Sequence, residues 1–334
     1  VELTLFEYEI SLVKPLWIGT TRKGLYLSLF DSSMESFHWG EIAPLPGFSS
    51  ESFEEAKKQA IDFMNRLQNE SYHQIDRSPL FSSVRCGFDM VFGSDFLPAH
   101  KAIPLAGLIP NDCDRPDSDS FSCYKVKVGN KSIDREIDRI KLISQFGKIR
   151  VDPNRAWTSS QMNEFWMKIQ AAGLIDSIDF IEEPCQDYPD LVDYPLALDE
   201  SLQIAQFKGG NIKIPRGTQV LVIKPMLVGG IEQAIQWIDF AISHRFRWVI
   251  SSSFESGLAT AFYANLVGSK SIGMIEPSGF DPYRWLDPTV HKSSLQIEGG
   301  NLIISDRYES ARIDDQWLTP IYTTILPSIV TARF

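Results

Sequence analysis

Cysteine is scarce: Cys86, Cys113, Cys123 and Cys185 form no CxxC pair, and no histidine stands at finger-like spacing from them. That excludes a structural zinc site and a disulfide framework, and fits reduced thiols in the cytoplasm. No apolar run approaches the ~18 residues of a membrane span. The first residues (Val1 to Phe6) alternate like a strand and lack the charged-then-apolar layout of a signal peptide. No GxGxxG fingerprint follows a strand-like run, which argues against a dinucleotide fold. No GxSxG elbow is present, which argues against a nucleophilic serine. Positive charge is also short, 32 Lys and Arg against 43 Asp and Glu, for a net charge of −11. Phosphate backbones and anionic lipid surfaces would be repelled over most of the surface, so neither nucleic acid nor membrane is expected as a partner. An anionic substrate then needs a locally cationic pocket. No protein partner is evident.

What is present divides in two. Residues 1–97 read as an α+β unit, with strand-like Leu3–Leu12 and Leu25–Phe30 before a turn-rich stretch from Trp39 to Phe48. A helix follows, opened by a Ser52/Glu55 capping box and carrying Phe53, Ala56, Ala60, Phe63, Met64 and Leu67 at helical period.

From residue 98 to 290 the pattern is rhythmic. Short apolar runs end in polar residues: Cys123–Val128, Ile149–Asp152, Ile178–Glu182, Leu196–Asp199, Val220–Lys224 and Trp248–Ser252. Helical stretches lie between them, such as Ser132–Phe146, with Ile133, Ile137, Ile140 and Ile143 on one side, and Thr158–Ala171, with a Thr158/Gln161 capping box. Strand–helix alternation of this kind marks a parallel sheet with helical crossovers. A first strand near Ala102–Leu108 and a last near Gly273–Ile275 bring the count to eight, which favours an α/β fold of the closed TIM-type (β/α) barrel kind over an open sheet. The segment 291–334 is expected to close the barrel or to pack on the N-terminal unit.

Active sites of such barrels lie at the carboxyl ends of the strands. Read in order, those ends give Lys125-Val126-Lys127, Asp152-Pro153-Asn154, Glu182-Glu183-Pro184, Asp199-Glu200-Ser201, Lys224-Pro225 and Ser251 to Ser256. Carboxylates from three adjacent strands converge on one sector of the mouth. Lysines four strands apart in an eight-membered ring face each other across it. Side chains alternate along a strand, so Lys125 and Lys127 share a face, whereas Glu182 and Glu183 cannot both point inward, nor can Asp199 and Glu200. Clustered acids repel unless a cation neutralises them, and an all-oxygen set suits Mg²⁺. Beside such an ion, a lysine with a depressed pKa is equipped to take the weakly acidic proton next to a carboxylate.

This series, KxK, DxN, EEP, DES and KP, resembles the enolase superfamily, in the muconate-lactonizing-enzyme-like branch with lysines on opposite barrel faces. Trp39–Ser49 (WGEIAPLPGFS), Asp152–Trp157 (DPNRAW), Glu182–Cys185 (EEPC), Asp199–Leu202 (DESL), Val222–Pro225 (VIKP) and Ile250–Ser256 (ISSSFES) are similar to motifs of the o-succinylbenzoate synthase family. The resemblance runs colinearly from about residue 10 to 285. It implies a capping domain over a modified barrel, Asp152, Glu182 and Asp199 as ligands of Mg²⁺ (with Mn²⁺ as a substitute), and Lys127 as the base. Lys224 would stabilise the enolate from the other side. Asn154 and Glu200 would stand behind the ligands. Lys125, Arg22, Phe48, Arg150, Ser251 and Ser252 would contact substrate, with the Thr20–Gly24 loop and the Pro46–Phe48 turn as a lid. The implied reaction is the dehydration of 2-succinyl-6-hydroxy-2,4-cyclohexadiene-1-carboxylate in menaquinone biosynthesis, through a metal-stabilised enediolate.

Taken singly, most of these residues have plainer uses. Asp-x-Asn and Asp-Glu-Ser are turn formers and caps, a lone strand-end lysine is a solvated charge, and Lys125 serves equally to orient Lys127 or to line the barrel. The Gly229-Gly230 pair looks like a phosphate-binding turn, but such pairs are common after barrel strands. The five histidines (His38, His73, His100, His244, His291) fall outside the strand-end series. The same two-lysine layout also permits an N-acylamino acid racemase or dipeptide epimerase, and a non-catalytic ligand-binding barrel is a third reading.

Overall fold

The computed structural model describes residues 1–16, 18–32, 35–93, 102–187, 191–204, 214–271, 273–287, 295–304 and 318–327. The N-terminal part carries strands β1 (Glu2–Leu16), β2 (Gly19–Asp31) and β3 (Ser36–Ile42), then helices α1 (Phe53–Arg66) and α2 (Ser82–Phe92). The Ser52/Glu55 capping box forms as expected and buries Ala56, Ala60, Phe63 and Met64 against the sheet. The turn-rich reading of residues 39–48 holds only from Ala43 onward. Trp39 to Ile42 belong to β3, because their backbone pairs residue by residue with Ser28 to Leu25 of β2.

The second part runs β4 (Ala102–Pro104), β5 (Ala106–Ile109), β6 (Cys123–Lys127), α3 (Ile133–Ile143), β7 (Lys148–Asp152), α4 (Ser159–Ala171) and β8 (Ile178–Glu182). It continues with β9 (Leu191–Leu198), α5 (Glu200–Ile204), β10 (Arg216–Ile223), α6 (Ile231–His244), β11 (Arg247–Ile250), α7 (Gly257–Lys270), β12 (Leu295–Glu298), β13 (Asn301–Ile304) and β14 (Thr319–Ile325). Strands β5 to β11 form one parallel sheet in chain order.

That sheet closes on itself through two residues. The Ala106 amide donates to Ser278 O at 3.0 Å on one side, and the Ser252 amide donates to Gly279 O at 3.0 Å on the other. The expected last strand at Gly273–Ile275 is therefore displaced to Ser278–Gly279, and Met274 is exposed to solvent. The expected first strand splits. Only Ala106–Ile109 joins the barrel, while Ala102–Pro104 pairs with the β12–β13 hairpin. The fold is a modified TIM-type barrel with an N-terminal α+β cap. Its C-terminal strand β14 lies antiparallel to β1 on the edge of the cap sheet.

Side-chain alternation sorts the barrel into an inside and an outside. Phe180, Ala197, Val220, Val222 and Val249 form an apolar plug within the ring. The residues between them, such as Ile181, Leu198, Leu221 and Ile223, join the larger core beneath the helices. Two residues further along, on the same inward face, come Glu182 and Lys224. The plug thus gives the strand-end groups a dry floor. Among the described residues no helix is long and apolar enough to cross a membrane.

Candidate active site

A cavity of about 380 Å³ opens above that floor, lined by Lys125, Lys127, Asn154, Lys224, Ser251, Ser252 and Phe48 among others. Lys127 ends β6 and Lys224 follows β10, four strands away in the sheet. Just below lie Asp152, Glu182 and Asp199, each almost fully buried.

The acids and amines are interlocked. Lys127 Nζ donates to Asp152 Oδ2 at 2.5 Å and to Asn154 Oδ1 at 2.9 Å. Lys125 Nζ lies 2.8 Å from Asp152 Oδ2 and also donates to Glu182. Lys224 donates to Asp199. Asn154 takes a left-handed φ of 49°, and its own amide donates to Asp152 Oδ1 at 2.9 Å, so it holds both the acid and the base. Glu200 opens α5 beside this group. Burial pushes its carboxyl up, with Lys224 opposing.

Glu183 is turned the other way. Its Oε2 accepts from the Asp199 amide at 2.8 Å and the Ser201 amide at 2.9 Å, and its Oε1 from Ser201 Oγ at 2.5 Å. The second acid of that pair therefore stitches the end of β8 to the end of β9, while the first faces the cavity.

The electrostatics separate the three amines. Burial lowers the Lys125 pKa, but Asp152, Glu182 and Asp199 overcome it and raise the group above its ordinary value. At Lys224 burial is likewise outweighed, chiefly by Asp199. Lys127 goes down, because burial and the ammonium groups of Lys125 and Lys224 together exceed the pull of Asp152. Burial drives Glu182 up to about 7, aided by Asp152.

The donor set suits a divalent ion. Three carboxylates supply only oxygen, and the buried Asp199 Oδ1 has no hydrogen-bond partner. As the side chains stand, no trio of His, Cys, Asp or Glu among the described residues converges to hold a metal. The lysine ammonium groups pair with these acids instead.

Two expected substrate contacts lie elsewhere. Arg22 is buried, and its guanidinium is consumed by carbonyls of Lys23 (3.0 Å), Pro44 (2.8 Å), Ala43 and Phe254 (3.1 Å). It fastens the cap to the barrel. The Thr20–Gly24 segment is strand β2, paired with Ser11 to Tyr8 of β1, not a loop. Arg150 sits two residues below Asp152, on the order of 7 Å deeper at the strand rise. There it donates to Asp179 Oδ2 at 2.8 Å and lies 4.7 Å over the Phe180 ring. As placed, this arginine braces the barrel below the residues that line the cavity.

Several lining residues stand outside the strand-end series: Leu16, Leu45, Leu108, Asn111 and Trp285. They come from strand β5, from loops and from the cap, and all but Asn111 are apolar. Leu45, Phe254 and Trp285 pack together with Leu227. His38, His73 and His244 lie outside the cavity lining, and His100 and His291 fall outside the described residues.

Residues 112–308 match the family model described as enolase C-terminal domain-like, and residues 2–92 match the model of the MenC N-terminal domain. The o-succinylbenzoate synthase of Salmonella arizonae is 33% identical over 74% of this chain and 79% of its own length. The same-named enzyme of Escherichia coli K12 is 31% identical over the same shares. Among solved structures, the L-Ala-D/L-Glu epimerase of Bacillus subtilis superposes with a TM-score of 0.73 at 18% identity, covering 91% of this chain and 96% of that one. The o-succinylbenzoate synthase of Thermosynechococcus elongatus, complexed with Mg, gives 0.62 at 21% identity, covering 85% and 94%. At those identities the structures speak for the fold, and the sequence matches carry the family. With this fold and these strand ends, the chain belongs to the o-succinylbenzoate synthase family of the enolase superfamily, a family of lyases.

Proposed function

We propose that this chain dehydrates 2-succinyl-6-hydroxy-2,4-cyclohexadiene-1-carboxylate to 2-succinylbenzoate, a step of menaquinone biosynthesis. The observation that carries the reading is the pair of amines, Lys127 and Lys224, lining one cavity from strands four apart above three buried acids. Asp152, Glu182 and Asp199 would hold Mg²⁺, with Mn²⁺ as a substitute. A bound dication would offset the charge that builds on the substrate carboxylate as the neighbouring proton leaves.

Lys127, its pKa depressed, takes the ring proton on the carbon bearing the carboxylate. As an ammonium it then returns that proton to the departing hydroxyl on the same face. One C–H and one C–O bond break, water leaves, and the ring becomes aromatic. Lys224 remains protonated and faces the opposite side, where its charge stabilises the enolate. Lys125 bridges Asp152 and Glu182 and keeps them oriented. Ser251 and Ser252, with Phe48 and the apolar residues beside it, enclose the remainder of the substrate and exclude water.

In this reading residues 1–97 cap the site and 98–290 form the catalytic barrel, while of the C-terminal segment 291–334 the β12–β13 hairpin pairs with β4 and β14 lies on the cap sheet. The enzyme works in the cytoplasm on a small carboxylate, which suits four free cysteines, without nucleic acid, membrane or protein partner. The test is incubation with the cyclohexadiene substrate after chelation, with and without added Mg²⁺, following loss of diene absorbance. Mg²⁺-dependent loss is expected. No loss under either condition, with deuterium instead entering N-acylamino acids or dipeptides from solvent, overturns the reading in favour of racemisation.

A further inference from the structure

The inward stripe of α3 is not wholly apolar. Ile133, Glu136, Arg139, Ile140 and Ile143 are its buried residues, and Arg139 is only 2% exposed. A buried guanidinium needs acceptors in the plane of its fork. Arg139 finds three, all of them backbone carbonyls. Nε donates to Cys113 O at 2.7 Å, Nη1 to Lys127 O, and Nη2 to Pro110 O. Its charge is balanced by Glu136, whose Oε2 stands 3.5 Å from Nη1. The Glu136 Oε1 in turn accepts from the amides of Gly129 at 3.1 Å and Lys131 at 3.2 Å.

These contacts join two chain segments at the mouth. One leaves β5 and carries Asn111, a cavity-lining residue, between Pro110 and Cys113. The other leaves β6 at Lys127 and turns through Gly129. A lysine amine rides on a four-carbon stem, so its reach is set by where the backbone anchors it. Asp152 and Asn154 fix the amine end, and Arg139 fixes the carbonyl end.

We infer that Arg139 is a positioning residue: its guanidinium pins the backbone of Lys127 and the Pro110–Cys113 wall together, setting the base against the substrate. The inference rests on Lys127 acting as proposed above, and deepens that reading. A lysine at position 139 keeps the charge, but its single nitrogen cannot reproduce three planar bonds.

The experiment compares the wild type, Arg139→Lys and Arg139→Ala by steady-state kinetics and hydrogen-exchange mass spectrometry. Arg139→Lys is expected to fold and to lose about tenfold or more in kcat, with a smaller change in KM. Guanidinium at sub-denaturing concentration should restore part of the activity of Arg139→Ala, where equal NaCl does not. Amides of residues 111–113 and 127–131 should exchange faster, while those of β10 keep wild-type protection. An Arg139→Lys enzyme with kcat within about twofold of wild type overturns the inference. So does a loss of protection spread evenly over the barrel, the mark of an ordinary core residue. If the wild type itself fails to dehydrate the diene, the functional reading falls and takes the base-setting part of this inference with it; the exchange pattern then decides the pinning alone, which local loosening upholds and uniform loosening overturns.

Discussion

Lys125 and Lys127 share a strand face and the same acid neighbour, yet their proton affinities move in opposite directions. Lys125 touches two carboxylates, and Lys127 touches one carboxylate and an amide oxygen. Burial penalises both charges, and only at Lys125 do enough acids stand close to win. The proposed base is therefore the member of the pair that releases its proton sooner. Expressed in rate, kcat/KM should fall as pH drops through a pKa below the ordinary lysine value, because the amine must be neutral to act. Lys127→Ala should cut kcat by about 100-fold or more while binding survives, and a pH–rate profile of the wild type checks the limb. Near-normal turnover in that variant would remove Lys127 from the chemistry. The lysines and the acids were legible in the sequence as a series of strand ends, but alternation alone left open which of Glu182 and Glu183, and which of Asp199 and Glu200, faces inward, and only the family resemblance chose between them. Arg22 and Arg150 were not legible, since positive charge says nothing about barrel depth or about which carbonyls wait nearby. Arg139 did leave a signal, a charged pair with Glu136 at helical spacing inside an isoleucine stripe, which an eye set on strand ends passes over.

Among the elements, the helices that follow the site strands show how the cap is held. The N-terminus of α6 looked like a phosphate-binding turn at Gly229-Gly230. It is filled instead by a carboxylate of the protein: Asp89 Oδ2, on α2 of the cap, accepts from the Glu232 amide at 3.2 Å. The N-terminus of α7 is treated the same way, with Glu41 of β3 accepting from the amides of Ser256 at 2.8 Å and Ala259 at 3.2 Å. Free amides and the helix dipole make both ends anion sites, and the cap supplies the anions. The fit at α6 demands glycine. Gly230 has a φ of +91°, and a Cβ there would lie 2.5 Å from Asp89 Oδ2. Gly230→Ala should therefore lose about 1–3 kcal/mol in urea unfolding, from backbone strain and displacement of Asp89 together. An unchanged midpoint would mean the two parts are not held there. The strands with long apolar runs were legible in the sequence, but the eighth was not. Ser278 and Gly279 contribute two residues and no hydrophobic pattern, and a Cβ on Gly279 would meet Ser251 Oγ at 2.3 Å. Closure there depends on close backbone approach, which periodicity cannot register.

For the molecule as a whole, these contacts couple folding of the cap to the barrel and make the coupling weaken as pH rises. Asp89 is enclosed by Tyr72, whose hydroxyl donates to it, by Arg77 at 3.4 Å, and by Glu232 and Arg85 of the adjoining ion-pair group. Burial, and then the Glu232 charge, raise its pKa from 3.8 to about 6 against the opposing hydrogen bond from Tyr72. Because the folded value exceeds the unfolded one, the folded protein binds the extra proton between those limits. The contribution of this group to stability is full below about pH 4 and is lost as pH rises through about 6. A shift of that size corresponds to on the order of 3 kcal/mol at most. Asp89→Asn should remove this pH dependence. The difference in unfolding free energy between wild type and variant should drift in the variant's favour from pH 4 to pH 7, on top of a constant offset for the altered Glu232 contact. A difference independent of pH would show that Asp89 ionises normally and that the cap is held by its apolar packing. The cap is thus fastened to the barrel at two helix ends and by the Arg22 guanidinium, and the cap residues that line the cavity are Leu16, Leu45 and Phe48.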